Sequence, residues 1–345
     1  MKTRLLIFCL SLFAIAFTSI TYGAKYYVYY NSLVPIYISL TKIEPFFEYS
    51  KVVEYDWERP QAKIYEIRKP KNDAPSVLLI HGIDPNEIYG TWTRYKAIFR
   101  DSWTKILPED YGLYFFIYPS LDIPLEESAD ALVREIENIS KKFEENYDNA
   151  SVRFNIYAHS MGGLLLRYAL QEDEFKKHVN KIIFAGTPHI GSPLANFIVM
   201  NKSLLKLRKD WGFIKNVLIA SNISGGYTYA PNYRYLMYGS RYPEVPNDVE
   251  FLNFAAVITQ KADVMFENLV TTEMFSTTGL LFLKSVTDIL FSDKQFTDND
   301  GMVPIESATY YGKCEIFRGF DHADLVMSDI IIKKAIEYFY GEKVK

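Results

Sequence analysis

The sequence predicts an α/β fold with a mostly parallel central sheet and helices on both faces. Three observations carry this. Short unbroken apolar runs, above all Ser76-Val77-Leu78-Leu79-Ile80, have the pattern of strands buried on both faces. Strand-like and helix-like stretches alternate through most of the chain, the rhythm of β-α-β units. At Ser160 the spacing of apolar residues changes from that of a strand (Val152, Phe154, Ile156) to that of a helix (Leu164, Leu165, Tyr168) within a few residues.

In chain order, strand-like runs span Lys51 to Trp57 and Ala62 to Ile67, followed by the buried run ending at Ile80 and the loop His81-Gly82-Ile83. A helix is expected from about Thr91 to Ile106 and a strand from Leu113 to Tyr118. Between Glu126 and Asn146, Leu132, Ile136, Ile139 and Phe143 fall on one helical face, with Glu and Lys opposite. After the Ser160 region come strands at Lys181 to Ala185, Phe251 to Ile258 and Cys314 to Phe317, then an amphipathic helix from Leu325 to Tyr340. The connection from Gly191 to about Asn253 is far longer than ordinary strand-to-helix loops and reads as an insertion, about 192–250, within a domain spanning 24–345. No internal repeat and no low-complexity linker interrupts the chain.

With 345 residues, 49% of them apolar and 23% charged, the chain is long enough for one large domain with an insertion, and disorder is excluded. The formal charge is −4, and no basic cluster or nucleic-acid motif stands out, so nucleic acid is not an expected partner. Lys2 and Arg4, an apolar run from Leu5 to about Ile20, and the small or polar residues through Gly23 and Ala24 have the layout of a secretory signal over 1–23. Export is therefore expected, with an uncleaved membrane anchor as the alternative. Cys9 lies inside that segment, so the mature chain has Cys314 alone and no intrachain disulfide. A buried free thiol is the expected state of Cys314, because it opens an apolar strand.

A serine in a sharp strand-to-helix turn holds its hydroxyl out at the carboxyl edge of a sheet, above a helix N-terminus. The turn needs small residues two before and two after the serine, and Ala158 and Gly162 occupy those positions around Ser160. The N–H of Met161 then points where a negative oxygen would form. An isolated pentapeptide of this kind is often an ordinary turn; its place between a strand and a helix makes it a nucleophile elbow.

Together with Ile80-His81-Gly82, Thr187-Pro188-His189-Ile190-Gly191-Ser192-Pro193, Asn299-Asp300-Gly301-Met302-Val303-Pro304 and Asp321-His322-Ala323-Asp324, the elbow resembles the α/β-hydrolase lipases and esterases, especially bacterial triacylglycerol lipases and the related inositol deacylases. The resemblance runs from about Val77 to Phe339. It implies an α/β-hydrolase fold with a helical cap or lid insertion, and a Ser-Asp-His triad in that chain order. Of the five histidines, His81 and His159 precede the serine, His178 lies in a charged segment and His189 comes too early, which leaves His322 as the base. Asp300 matches the family's acid; a plain Asn-Asp-Gly turn is the alternative, with Asp263 and Asp298 as rival acids. The resemblance implies the N–H of Ile83 as a second oxyanion donor beside Met161. His81 is expected to shape its loop, and Thr187-Pro188-His189 to shape the start of the insertion. Ser192 is a conceivable second nucleophile, but no helix start is expected after it in the required register.

Within the insertion, Leu204 to Leu218 is amphipathic and basic, and a tyrosine-rich run extends from Tyr227 to Tyr242. Such a segment is either a lid that meets a lipid surface and opens an acyl groove, or a cap packed on the domain. Bacterial lipases of this kind often hold a structural calcium, for which Asp324 fills the matching place; no second ligand is evident, Asp263 and Asp288 both being conceivable, and Asp324 also stands where it would cap the last helix. The expected chemistry is acyl transfer from a lipid or other acyl ester through a covalent intermediate on Ser160, with no cofactor. The same triad would also serve an acyltransferase, and the fold can carry a non-catalytic binding protein.

Overall fold

The computed structural model describes residues 62–71, 73–84, 92–121, 123–146, 152–193, 195–196, 231–257 and 298–341. The leader-like segment, the expected strand at Lys51 to Trp57, the basic amphipathic stretch of the insertion, Asp263 and Asp288 lie outside them. The described elements are β1 (Lys63–Arg68), β2 (Ser76–Ile80), α1 (Arg94–Ile106), β3 (Leu113–Ile117), α2 (Leu125–Asn146), β4 (Phe154–His159), α3 (Met161–Ala169), α4 (Asp173–Lys177) and β5 (Val179–Ala185). A 3₁₀ turn at Pro231–Leu236, β6 (Phe251–Val257), α5 (Ile305–Ala308), β7 (Cys314–Arg318), α6 (Asp324–Met327) and α7 (Asp329–Tyr340) complete them.

Seven strands form one sheet in the order β1-β3-β2-β4-β5-β6-β7. β1 runs antiparallel to β3, and every other pair is parallel. β2, β3 and β4 are buried at every position, because helices cover both faces. Alternate residues of β2 enter opposite cores: Leu78 and Ile80 pack with α2 and α3, Val77 and Leu79 with α1 and α7. Leu164, Leu165 and Leu166 of α3 are fully buried, each contributing about 1.5–3 kcal/mol by leaving water. From β2 the chain crosses to β3 on one side and then returns past β2 to β4 on the other. The strand order therefore reverses between β2 and β4, and a reversal of this kind opens a crevice at the carboxyl ends of the two strands.

Local chemistry sets the element ends. α1 stops at Leu107, whose extended backbone (φ −64°, ψ 124°) suits the residue before Pro108. α7 ends at Gly341 in the left-handed region (φ 72°), its N–H bonded to the Glu337 carbonyl. The expected terminal helix is instead two: Ser328 is extended (ψ 122°), donating to Asp324 O to close α6 while its own carbonyl accepts from Ile332 N to open α7. Cys314 is exposed rather than buried, because β7 is the sheet's edge strand and most of its residues face outward.

Residues 231–250, which fall in the expected insertion, are docked on the domain. Tyr233, Leu236 and Val245 enter the core beside α2 and α3, and Tyr235 donates to Glu126 at 2.6 Å. The pin is Arg167, 1% exposed. Its guanidinium donates to the carbonyls of Pro243, His189 and Tyr242 and to the Tyr311 hydroxyl, and lies over the Tyr242 and Tyr311 rings. His189 completes the cluster, with Nδ1 accepting from Arg167 at 3.4 Å and Nε2–H donating to Asn253 Oδ1 at 2.9 Å.

Burial, reinforced by Arg167, pulls the His189 imidazole down to about 3 from its ordinary 6.5. Between those values the unfolded chain binds a proton that the native state refuses. Stability is therefore complete above the unfolded value and falls as pH drops toward the folded one, by about 1.4 kcal/mol per pH unit at full effect. His189→Gln keeps a donor for Asn253 and cannot titrate. Urea unfolding between about pH 7.5 and pH 5 is expected to show the variant losing roughly 1–2 kcal/mol less than the parent; equal losses would mean that native His189 takes up the proton.

Candidate active site

The carboxyl ends of β2 and β4 meet in the crevice that the strand order creates. Ser160 follows β4 with φ 54° and ψ −127°, and among the described residues it is the one non-glycine at positive φ. A backbone held there costs about 1–3 kcal/mol and persists only where its surroundings over-determine it. Here they do. Ser160 N donates to Ala185 O at 2.8 Å, and a Cβ on Gly162 would come within 2.4 Å of His81 O. A Cβ on Gly82 would lie 2.6 Å from Ser160 Cβ and 3.2 Å from its Oγ, so the loop after β2 rests directly on the serine. α3 begins at Met161, whose N–H is one of the first-turn amides without an intrahelical acceptor.

The loop after β2 is fixed on both sides of Ile83. Gly82 N donates to the Tyr95 hydroxyl at 3.0 Å and Asp84 N to Ser120 Oγ at 2.9 Å. The Asp84 carboxylate, fully buried, accepts from Thr93 Oγ1 at 2.5 Å and lies 3.5 Å from the equally buried Lys96 ammonium. His81 donates from Nδ1 to Gly82 O at 2.7 Å, accepts at Nε2 from Tyr118 N at 3.3 Å, and stacks on the Tyr118 ring. Burial, with Lys96 nearby, holds its imidazole well below the ordinary histidine range. His81 thus shapes its loop, as its position after β2 suggested.

Asp300, in the turn ahead of α5, meets His322, in the loop after β7. His322 Nδ1–H donates to Asp300 Oδ2 at 2.6 Å, and the His322 main-chain N–H donates to Asp300 O at 3.0 Å. Asp300 Oδ1 accepts from the Met302 and Val303 amides at 2.9 and 2.7 Å, so the Asn-Asp-Gly turn aims one carboxylate oxygen at itself and the other at the imidazole. Asp300 and His322 are 1% and 6% exposed. Asp298, a rival acid by sequence, is on the outside and faces Arg318 at 3.4 Å. Two contacts bring His322 to the Ser160 edge: its ring lies 4.6 Å from that of His159, the residue before Ser160, and a Cβ on Gly186, the residue after β5, would come within 3.0 Å of His322 Cε1.

Other candidates are engaged elsewhere. A helical turn does follow Ser192, contrary to expectation, but the Ser192 hydroxyl donates to Met302 O and its amide to Leu236 O. His178 donates to Val152 O at 2.9 Å, far along the sheet. Asp324 Oδ2 accepts from Asp321 N while Asp321 Oδ1 accepts from the Asp324 amide, a reciprocal cap at the start of α6 rather than of the last helix. Among the described residues no three His, Cys, Asp or Glu side chains gather as ligands, and Asp263 and Asp288, each conceivable as a second calcium ligand beside Asp324, lie outside them. Sequence reading missed Tyr95, Thr93, Lys96 and Asp84, for which no local motif exists, and it set His159 aside because of its place before the serine.

Residues 124–224, which include α2, the Ser160 turn and β5, match the model of the PGAP1-like alpha/beta domain family. No curated protein matches the sequence significantly. Among solved structures, the mature form of a lipase from Bacillus licheniformis is similar over 81% of this chain and 98% of its own, at 15% identity and a TM-score of 0.50. The propeptide form of that lipase gives a TM-score of 0.51 at 15% identity over 81% of this chain, which spans about half of its length (53%). A metagenomic carboxyl esterase gives 0.50 at 16% identity, over 79% of this chain and 77% of its own. With its largely parallel seven-stranded sheet and helices on both faces, the chain has the α/β-hydrolase fold that it shares with these lipases and esterases.

Proposed function

We infer that the protein is a serine carboxylic-ester hydrolase acting on lipid or other acyl esters. The observation that carries this reading is the pairing of His322 with the buried Asp300 at 2.6 Å on the sheet edge where Ser160 is held at positive φ. Ser160 is the nucleophile, His322 the general base and acid, and Asp300 the group that holds the imidazole's tautomer and stabilises the imidazolium. Met161 and Ile83 supply the oxyanion N–H groups.

In the first half-reaction His322 takes the Ser160 proton as the hydroxyl oxygen attacks the ester carbonyl. The tetrahedral oxyanion collapses, and the alcohol leaves with the proton carried by His322. Water, deprotonated by His322, then attacks the acyl-serine and frees the acid. The basic amphipathic stretch of the insertion would serve as the part that meets a lipid surface, with the docked 231–250 segment as its anchor. An acyltransferase would share the first half-reaction and deliver the acyl group to an alcohol in place of water.

Hydrolysis of p-nitrophenyl esters of increasing chain length by the parent protein and Ser160→Ala tests the assignment. The parent is expected to turn over and the variant to lose all but about one part in 10³–10⁶ of kcat; activity surviving in Ser160→Ala overturns the reading. A rising rate with acyl length supports lipid substrates, whereas preference for short esters removes the lid role. Asp300→Asn is expected to lower kcat by about 10⁴-fold with KM little changed, because the imidazole then takes the wrong tautomer; a matching loss in Asp298→Asn instead would move the acid to that residue.

A further inference from the structure

The hydrogen bonds around His159 fix its proton. The Tyr95 oxygen accepts the Gly82 N–H at 3.0 Å and lies 2.6 Å from His159 Nδ1. With Nδ1 as the acceptor, the hydroxyl proton of Tyr95 points at the ring. His159 Nε2 lies 3.1 Å from the main-chain carbonyl of His322, and a carbonyl only accepts, so Nε2 carries the hydrogen. The Nε2 end fixes the position of the hydrogen, and the Tyr95 hydroxyl, as donor to Nδ1, fits the same neutral tautomer. The ring is 4% exposed, and burial beside His322 holds its imidazole well below the ordinary histidine range, which keeps that form through neutral pH.

His322 is otherwise held by Asp300, at the ring through the carboxylate and at the main-chain N–H through the Asp300 carbonyl. Both contacts come from one partner, the turn that carries Asp300, and neither ties His322 to the serine. The bond from His159 does, because His159 is the last residue of β4 and adjoins Ser160 in sequence. The same run of hydrogen bonds begins at Gly82, adjacent to Ile83. It therefore links the oxyanion loop, α1, the elbow and the histidine loop, from four separate parts of the chain.

We propose that His159 is a positioning residue which, with Tyr95 setting its tautomer, clamps the main chain of His322 to the nucleophile elbow and the oxyanion loop. This rests on the reading of Ser160, Asp300 and His322 as a triad. His159 touches no reacting atom; it acts by limiting how far the His322 backbone drifts from Ser160. Drift of about 1 Å is enough to cost about 100-fold in rate.

The test uses the full-length protein and its Tyr95→Phe, His159→Phe and His159→Gln variants. Tyr95→Phe removes a single oxygen; His159→Phe keeps the ring and removes both bonds; Gln restores a donor toward His322 O and an acceptor toward Tyr95. On a short p-nitrophenyl ester, kcat is expected to fall about 10- to 100-fold in Tyr95→Phe and His159→Phe with KM within about twofold, and His159→Gln is expected to recover to within a few fold of the parent. Phosphonate labelling of Ser160 is expected to slow in parallel. A parent-like kcat in His159→Phe, or a His159→Gln no better than Phe, overturns the proposal. A ¹⁵N-histidine spectrum supplies a readout that needs no turnover: His159 is expected as the Nε2–H tautomer in the parent, with a mixture in Tyr95→Phe. The opposite tautomer in the parent overturns the proposal whatever the activity, whereas a parent that neither hydrolyses nor labels, yet shows the expected spectrum, defeats the triad reading and with it the positioning role, leaving only the structural link from His159 to His322.

Discussion

The rest of the site depends on one backbone constraint, the reversal from β4 into α3 at Ser160. A side chain at φ 54° is unfavourable, and the chain holds it there because its neighbours leave no alternative. The serine's own N–H is bonded to β5, Gly162 lies against the His81 carbonyl, and Gly82 lies against the serine's Cβ. The two glycine contacts would each be lost to a single added methyl group. The strain is offset by the packing of α3, whose three consecutive leucines are buried between the sheet and α2.

That constraint is coupled to the topology. Because the strand order reverses between β2 and β4, the loop after β2 and the turn after β4 are neighbours although about eighty residues separate them in the chain. The two segments are in contact there, Gly82 against the Ser160 side chain and Gly162 against the His81 carbonyl. The loop after β7, which carries His322, arrives at the same edge because β4 to β7 are parallel, and Asp300 meets it there. Parallel pairing, rather than any local signal, is what gathers Asp300, His322 and Ser160 on one side of the molecule.

Buried polar groups divide into two sets with different work. Asp84, Lys96, Thr93, Tyr95, His81 and His159 lie beneath the crevice and tie its loops to α1 and the sheet. Arg167, His189 and Asn253, with the half-buried Tyr311, lie behind it and hold residues 231–250 to the domain. Arg167 is satisfied by carbonyls, a hydroxyl and ring faces, so the pin carries no buried carboxylate that would need its own neutralisation. Removing any one of these groups leaves its partners without water or substitute, the costly way to break a buried hydrogen bond.

The sequence by itself determined the sheet strands, the amphipathic helices and the Ser160 turn, because burial on two faces, helical spacing and small residues around a sharp turn are local patterns. It also brought out Asp300 and His322, through their motifs and chain order. Only the tertiary structure decided that Asp298 faces Arg318 while Asp300 faces His322, since the two acids differ by two residues in one turn and which points inward depends on the strands around them. The exposure of Cys314 was equally invisible, because an edge strand and a central one share the same apolar pattern until the sheet order is known. So were the break at Ser328 and the role of His159: their bonding partners lie in other elements, and hydrogen bonds between distant segments leave no periodic trace in the chain.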